Sequence, residues 1–196
     1  ITAVDGEKSQ NVEKLFRLVD EAGERGSDLC VLPEMWTGIE FSSETGYREI
    51  VQALGPVSVL VNNAGILSNN KAAETTPAEW RKVMAVNLDS LMHISRKFKP
   101  QLTDSQGSVI IVSSISGLKA NIGNPAYAAS KAGAISLTKT LGQAWGPEGI
   151  RVNGLAPGLV DTKLTKITTQ SPERLAGALA NIPQRRMGLP ADMAGA

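Results

Sequence analysis

Residues 57–65 read VSVLVNNAG. An apolar run that ends abruptly in a polar, glycine-closed turn has the form of a short buried strand. The segments on either side complete the pattern. PAEWRKVMAVNLDSLMHISRKFKPQL (77–102) reads as one long helix, started by Thr76 before Pro77, because a first helical turn has no use for the amide hydrogen that proline lacks. SVIIVSS (108–114) is the next strand, a helix runs from near Tyr127 to Trp145, RVNGLAP (151–157) is a further strand, and SPERLAGALA (171–180) is a short helix. Upstream, NVEKLFRLVDEAGERG (11–26) places Val12, Leu15, Phe16, Val19 and Ala22 at helical spacing and stops at Gly26. DLCVLPE (28–34) reads as a strand, and a weaker helix covers 44–54. Strands that are apolar throughout and alternate with helices predict an α/β fold, doubly wound, with a mostly parallel sheet covered on both faces. No repeat or low-complexity linker divides the chain, so residues 1–196 read as a single domain.

Composition narrows the function. Twenty Lys and Arg against 19 Asp and Glu leave a net charge of +1, too little for a general field that would gather nucleic acid or an anionic membrane surface. A small-molecule substrate fits better. With one cysteine, Cys30, and one histidine, His93, neither an internal disulfide nor a zinc site is expected. No apolar run approaches the ~18 residues of a membrane span, and no signal-like segment opens the chain. These features predict a cytoplasmic protein. Trp36, Trp80 and Trp145 read as packing residues, His93 as packing or solvent-facing, and Arg185 with Arg186 as a solvated pair.

In open parallel sheets, ligands sit beyond the carboxyl ends of the strands. The residues found there are Asn62 to Gly65, then Ser113 and Ser114, then Pro157 and Gly158, with a helix opening YAASK at the same edge. Tyr127 and Lys131 of that helix are an i,i+4 pair on one face. A free tyrosine ionises near pH ~10 and is a poor acid or base in neutral water unless a cation stabilises its phenolate. Lys131 is placed to be that cation.

VLVNNAG (59–65), Asn87 in VNL, VSS (112–114), YAASK (127–131) and PGLVDT (157–162) occur in an order and spacing that resemble the classical short-chain dehydrogenase/reductase family over residues 45–196. Ser114 lies 27 positions after Asn87 and 13 before Tyr127, as in that family. The resemblance implies a Rossmann-like fold and hydride transfer between NAD or NADP and a carbonyl or alcohol substrate. Tyr127 would exchange a proton with the substrate oxygen, Ser114 would hydrogen-bond that oxygen, Lys131 would lower the tyrosine pKa and hold the nicotinamide ribose, and Asn87 would anchor a water. Asn62 and Ala64 would line the cofactor crevice, and Gly158, Val160 and Thr162 would border the nicotinamide. Residues 162–175 fall where the family keeps a mobile substrate loop, and its members usually pair through the long helices. A homo-oligomer is therefore expected, with Leu91, Ile94, Ile135 and Leu141 as exposed apolar positions.

The front of the chain departs from that family. No threonine-glycine-x-x-x-glycine-x-glycine turn, which would receive the cofactor pyrophosphate at a helix N-terminus, occurs before Gly55. Residues 5–38 instead resemble the start of the nitrilase or carbon-nitrogen hydrolase family, with Glu34 at the position of its general base. That chemistry needs a cysteine nucleophile well downstream, and Cys30 lies upstream, so hydrolysis is not expected. The strand at 28–33 would then lie beside VSVLV, with PEMWTGIEFS where the phosphate turn belongs. The N-terminal unit is thus expected to be replaced, and the C-terminal strand missing. Two readings stay open: a hydride-transfer enzyme with cofactor binding that is weak or lost, and a catalytically silent chimeric or truncated fold.

Overall fold

The computed structural model describes residues 57–68 and 70–193, and the backbone of residues 29–31. The expected helices at 11–26 and 44–54, the stretch PEMWTGIEFS and Glu34 lie outside the described residues.

Strand β1 (Leu29–Val31) pairs in parallel with β2 (Val59–Asn62), opposite one another at Leu29 and Val59. After β2 the chain forms α1 (Pro77–Met84), a π-helical turn (Ala85–Asp89) and α2 (Ser90–Asp104), then β3 (Ser108–Val112). Helix α3 (Pro125–Trp145) leads to β4 (Arg151–Leu155), and three short helices follow: α4 (Lys166–Thr169), α5 (Pro172–Ala180) and α6 (Pro190–Met193). The sheet order is β1-β2-β3-β4, all parallel. The strand at 29–31 therefore sits beside β2, the neighbour the sequence predicted for it.

Because the strands advance in one direction across the sheet, right-handed crossovers put the α1–α2 and α3 segments on the same face. The core lies there. Leu60 of β2 with Val109 and Ile111 of β3 pack against Leu91, Phe98 and Leu102 of α2 and Ala134, Leu141 and Trp145 of α3. On the other face Val59, Val61, Ile110 and Val112 are half-buried. The expected cover on both faces is thus observed for one; the chain before β1 and between β1 and β2 lies outside the described residues.

Local signals explain the boundaries. Thr76 accepts from the Glu79 amide while the Glu79 carboxylate accepts from the Thr76 amide, a reciprocal capping box that, with Pro77 at the first position, fixes the start of α1. Gly149, at φ 85, makes the left-handed turn into β4 that a side chain would strain. Several expectations are corrected. Leu91 and Leu141 are core residues, 2% and 4% exposed, because both point from their helices toward the sheet; Ile94 and Ile135 are half-buried. Arg185 and Arg186 are both exposed, as expected; in addition Arg185 donates to the carbonyls of Leu179 and Ala180 at the end of α5, and Arg186 pairs with Asp192 at 2.7 Å. Trp145 packs in the core as expected, whereas Trp80 is 41% exposed.

Candidate active site

The carboxyl ends of β2, β3 and β4 open into one cleft of about 520 Å³. Ser114, Tyr127 and Lys131 share its wall, and Gly158, Val160 and Thr162 line it from the segment after β4. It adjoins a second cavity of about 730 Å³ across Ile115, Gly158, Leu159 and Val160.

Each side chain is held by the element that carries it. Ser114, two residues past β3, has extended backbone and caps the following 3-10 turn (Ile115–Gly117): its Oγ accepts from the Ser116 amide at 3.1 Å, which leaves its hydroxyl hydrogen to donate elsewhere. Tyr127 and Lys131 project from the first two turns of α3, 9% and 3% exposed. Lys131 Nζ donates to the Val112 carbonyl at 2.8 Å and lies 5.6 Å from the centroid of the Tyr127 ring. At that range an ammonium and a tyrosine face attract each other. Ser113 Oγ donates to the Lys131 carbonyl at 2.7 Å and ties the end of β3 to the same turn of α3.

Asn87 is fully buried in the π-helical turn and does not line the cleft. Its Oδ1 accepts from the Ile66 amide at 2.8 Å, and its Nδ2 donates to the Ile66 carbonyl at 2.9 Å and to Ser130 Oγ at 3.1 Å. Ser130 Oγ in turn donates to the Tyr127 carbonyl at 2.7 Å. Both hydrogens of the Asn87 amide are used in this chain, so the side chain clamps the exit of β2 to the turn of α3 that bears Tyr127. An extra turn residue of this kind, inserted in a helix, commonly marks a functional site.

The crevice residues also shift by one position. Strand alternation turns Asn62 toward the helices, where its Nδ2 donates to Ser95 Oγ at 3.0 Å. Asn63, Gly65 and Leu67, rather than Asn62 and Ala64, line the cleft. Gly65 is needed for close approach: a Cβ there would stand 3.3 Å from Lys131 Nζ.

Ser113 lines the cleft with Ser114, and three further polar residues there were not anticipated: Ser116, Asn121 and Asn124. Asn124 precedes Pro125 at the N-cap of α3, yet its side chain makes no capping bond, and its Oδ1 is buried with no hydrogen-bond partner. Such an acceptor costs about 1–3 kcal/mol. In the adjoining cavity, the Arg186 side chain, helped by the Leu189 amide, holds the Asp192 carboxyl below the usual carboxylate range, and Asp192 raises Arg186 in return. Among the described residues no three His, Cys, Asp or Glu side chains form a metal-binding group, and no helix is long and apolar enough to cross a membrane.

A family model described as short chain dehydrogenase matches residues 8–173. The chain belongs to the short-chain dehydrogenase family. The match extends into residues 8–44, the part expected to be foreign to that family. The chain is 40% identical over 148 residues to a galactitol 2-dehydrogenase (L-tagatose-forming) of Cereibacter sphaeroides, covering 74% of this chain and 58% of that protein. It is 35% identical over 156 residues to the 3-oxoacyl-[acyl-carrier-protein] reductase FabG of Vibrio cholerae, covering 79% of this chain and 63% of that protein. The chain thus spans about three-fifths of the length of these curated relatives. A crystal structure assigned as an NAD(P)-dependent gluconate 5-dehydrogenase from Beutenbergia cavernae, with bound NADP at low occupancy, superposes with a TM-score of 0.77 at 32% identity, covering 93% of this chain and 73% of that one. The parallel sheet with flanking helices is the Rossmann-like arrangement of these family structures.

Proposed function

We propose that this chain is an NAD(P)-dependent oxidoreductase that interconverts a carbonyl and an alcohol on a small-molecule substrate, within a single α/β domain. The observation that carries this reading is the meeting of Ser114, Tyr127 and Lys131 on one cleft wall, with the lysine ammonium 5.6 Å from the tyrosine ring.

The residues present fit a nicotinamide nucleotide. Gly65 leaves room beside the Lys131 ammonium, and the segment Pro157 to Thr162 supplies largely apolar lining to the same cleft. The bound nucleotide supplies or accepts the hydride at the substrate carbon. Ser114 donates its hydroxyl hydrogen to the substrate oxygen, and Tyr127 delivers a proton to that same oxygen in reduction or removes it in oxidation. Lys131 favours the phenolate that results and hydrogen-bonds the nucleotide ribose. Asn87, through Ser130, keeps the Tyr127 turn in place. The bound NADP of the Beutenbergia cavernae protein and the carbonyl and alcohol chemistry named for the relatives support this assignment.

The glycine-rich phosphate turn does not occur in residues 1–55. Each charge-assisted bond to phosphate is worth ~1.5–3 kcal/mol, so the loss of several weakens binding by orders of magnitude. Calorimetric titration with NADPH and with NADH is expected to give dissociation constants in the millimolar range. Failure of both to bind at any attainable concentration would reject the oxidoreductase reading. Micromolar binding would show that the front of the chain builds another phosphate site.

A further inference from the structure

Two consecutive residues at the end of β3 hold both ends of Lys131. The Val112 carbonyl accepts from Lys131 Nζ at 2.8 Å, and the next residue, Ser113, donates from Oγ to the Lys131 carbonyl at 2.7 Å. A closed ring results. Ser113 is 4% exposed, and its own amide donates to the Leu155 carbonyl of β4 at 2.7 Å, so the group that grips the helix is itself fixed to the sheet. The following turn presses on the same peptide: a Cβ at Gly117 would stand 2.6 Å from the Lys131 carbonyl carbon. A carbonyl inside a helix already serves the amide four residues on, so α3 does not need the serine's bond in order to form.

We infer that Ser113 is a positioning residue, which fixes the distance between the Lys131 ammonium and the Tyr127 phenol and thereby sets how readily the tyrosine gives up its proton. The inference rests on the oxidoreductase reading above, in which that proton is the one exchanged with the substrate. A lysine carries its ammonium on a flexible four-carbon stem. If Nζ alone were held, by the Val112 carbonyl, a shift of α3 along the sheet would be taken up by that stem, and the ammonium would stay while Tyr127, one turn earlier on the same helix, moved away. With Ser113 holding the backbone, ammonium and helix share one reference point. The 5.6 Å from ammonium to ring centroid is then set by β3. Charge interactions weaken with distance, so a looser helix stabilises the phenolate less. Among the described residues that line the cleft, Tyr127 and Lys131 are the only ones that titrate, so no other group there offsets the change. On the neighbouring elements the charged side chains are engaged elsewhere or solvated: Glu79 accepts from Thr76 and Asn70, and Arg81, Lys82, Asp89 and Lys119 are exposed.

The chain has two tyrosines, so ultraviolet titration of tyrosinate absorbance, with Tyr127→Phe to remove one transition and leave that of Tyr47, reads Tyr127 without substrate or cofactor. Ser113→Ala is expected to move the Tyr127 transition to higher pH, and Ser113→Thr, which keeps the hydroxyl, to restore it. Turnover follows the same order. With trifluoroacetone and millimolar NADPH, kcat of Ser113→Ala is expected to fall by about 10–10²-fold, the size of effect that a misplacement of ~1 Å brings, and Ser113→Thr to recover most of that loss. If Ser113→Ala does not fold, Ser113→Cys carries the same expectation, because a thiol is a weak donor. A Tyr127 transition that stays at the native pH in the alanine or cysteine variant, whatever the melting temperature, assigns Ser113 a structural role and overturns the inference while leaving the oxidoreductase reading intact. Absence of trifluoroacetone turnover by the native chain rejects that reading, and the inference falls with it.

Discussion

Gly117 sits where the turn after Ser114 crosses helix α3. A Cβ at this position would lie 2.6 Å from the Lys131 carbonyl carbon and 2.7 Å from the Ala132 nitrogen, and helix backbone has little room to yield. Gly117→Ala is expected to destabilise the fold by about 1–3 kcal/mol, the usual penalty for overpacking. Because the turn is capped by Ser114, the same shift moves that hydroxyl relative to Tyr127, and a displacement of ~1 Å in such a site costs ~10²-fold in rate. Thermal melting and kcat measured together check this; a variant that matches the native chain in both contradicts the tight crossing. At this scale Ser114, Tyr127 and Lys131 were legible because their chemistry depends on spacing along the chain. Ser130 and Asn124 were not. Ser130 works through the main-chain carbonyl of Tyr127 one turn back in the same helix, and Asn124 is distinguished only by the bond it does not make. The exchange of Asn62 for Asn63 on the cleft wall is a matter of which face the last strand residue takes, which an apolar run without alternation does not specify.

Among the elements, β2, β3, β4, α3 and α5 follow the sequence reading to within a few residues, because apolar runs and prolines mark them from both sides. The long helix adds one feature. Residues 77–102 read as one long helix, and the chain is helical throughout, with a π-helical turn at Ala85–Asp89 between α1 and α2 that carries Asn87. Nothing in the local propensities of AVNLD signals the insertion. It is held by tertiary bonds from Asn87 to Ile66 and Ser130, which lie 21 and 43 positions away. The side chain of Asn87 braces Ile66 and Ser130, and Ser130 in turn bonds the Tyr127 carbonyl.

For the molecule as a whole, the parallel sheet with flanking helices was readable from alternation of strand and helix, and the match of the family model across residues 8–173 extends the kinship further toward the N-terminus than the motifs alone did. The homo-oligomer that the resemblance implied loses two of its four proposed contacts, since Leu91 and Leu141 are core residues. Trp80 and Met92, 41% and 39% exposed on the segment that includes α1 and α2, remain as apolar surface for a second copy. Light scattering is expected to give at least twice the 20.7 kDa of one chain, and a monomer at high concentration would exclude that assembly. The central claim concerns Tyr127, and the most direct measurement is the reduction of trifluoroacetone at millimolar NADPH by the native chain and by Tyr127→Phe. Slow turnover by the native chain, falling by about 10²–10⁴-fold in the variant, is predicted for a tyrosine that carries the proton. Equal rates for the two proteins would contradict that role.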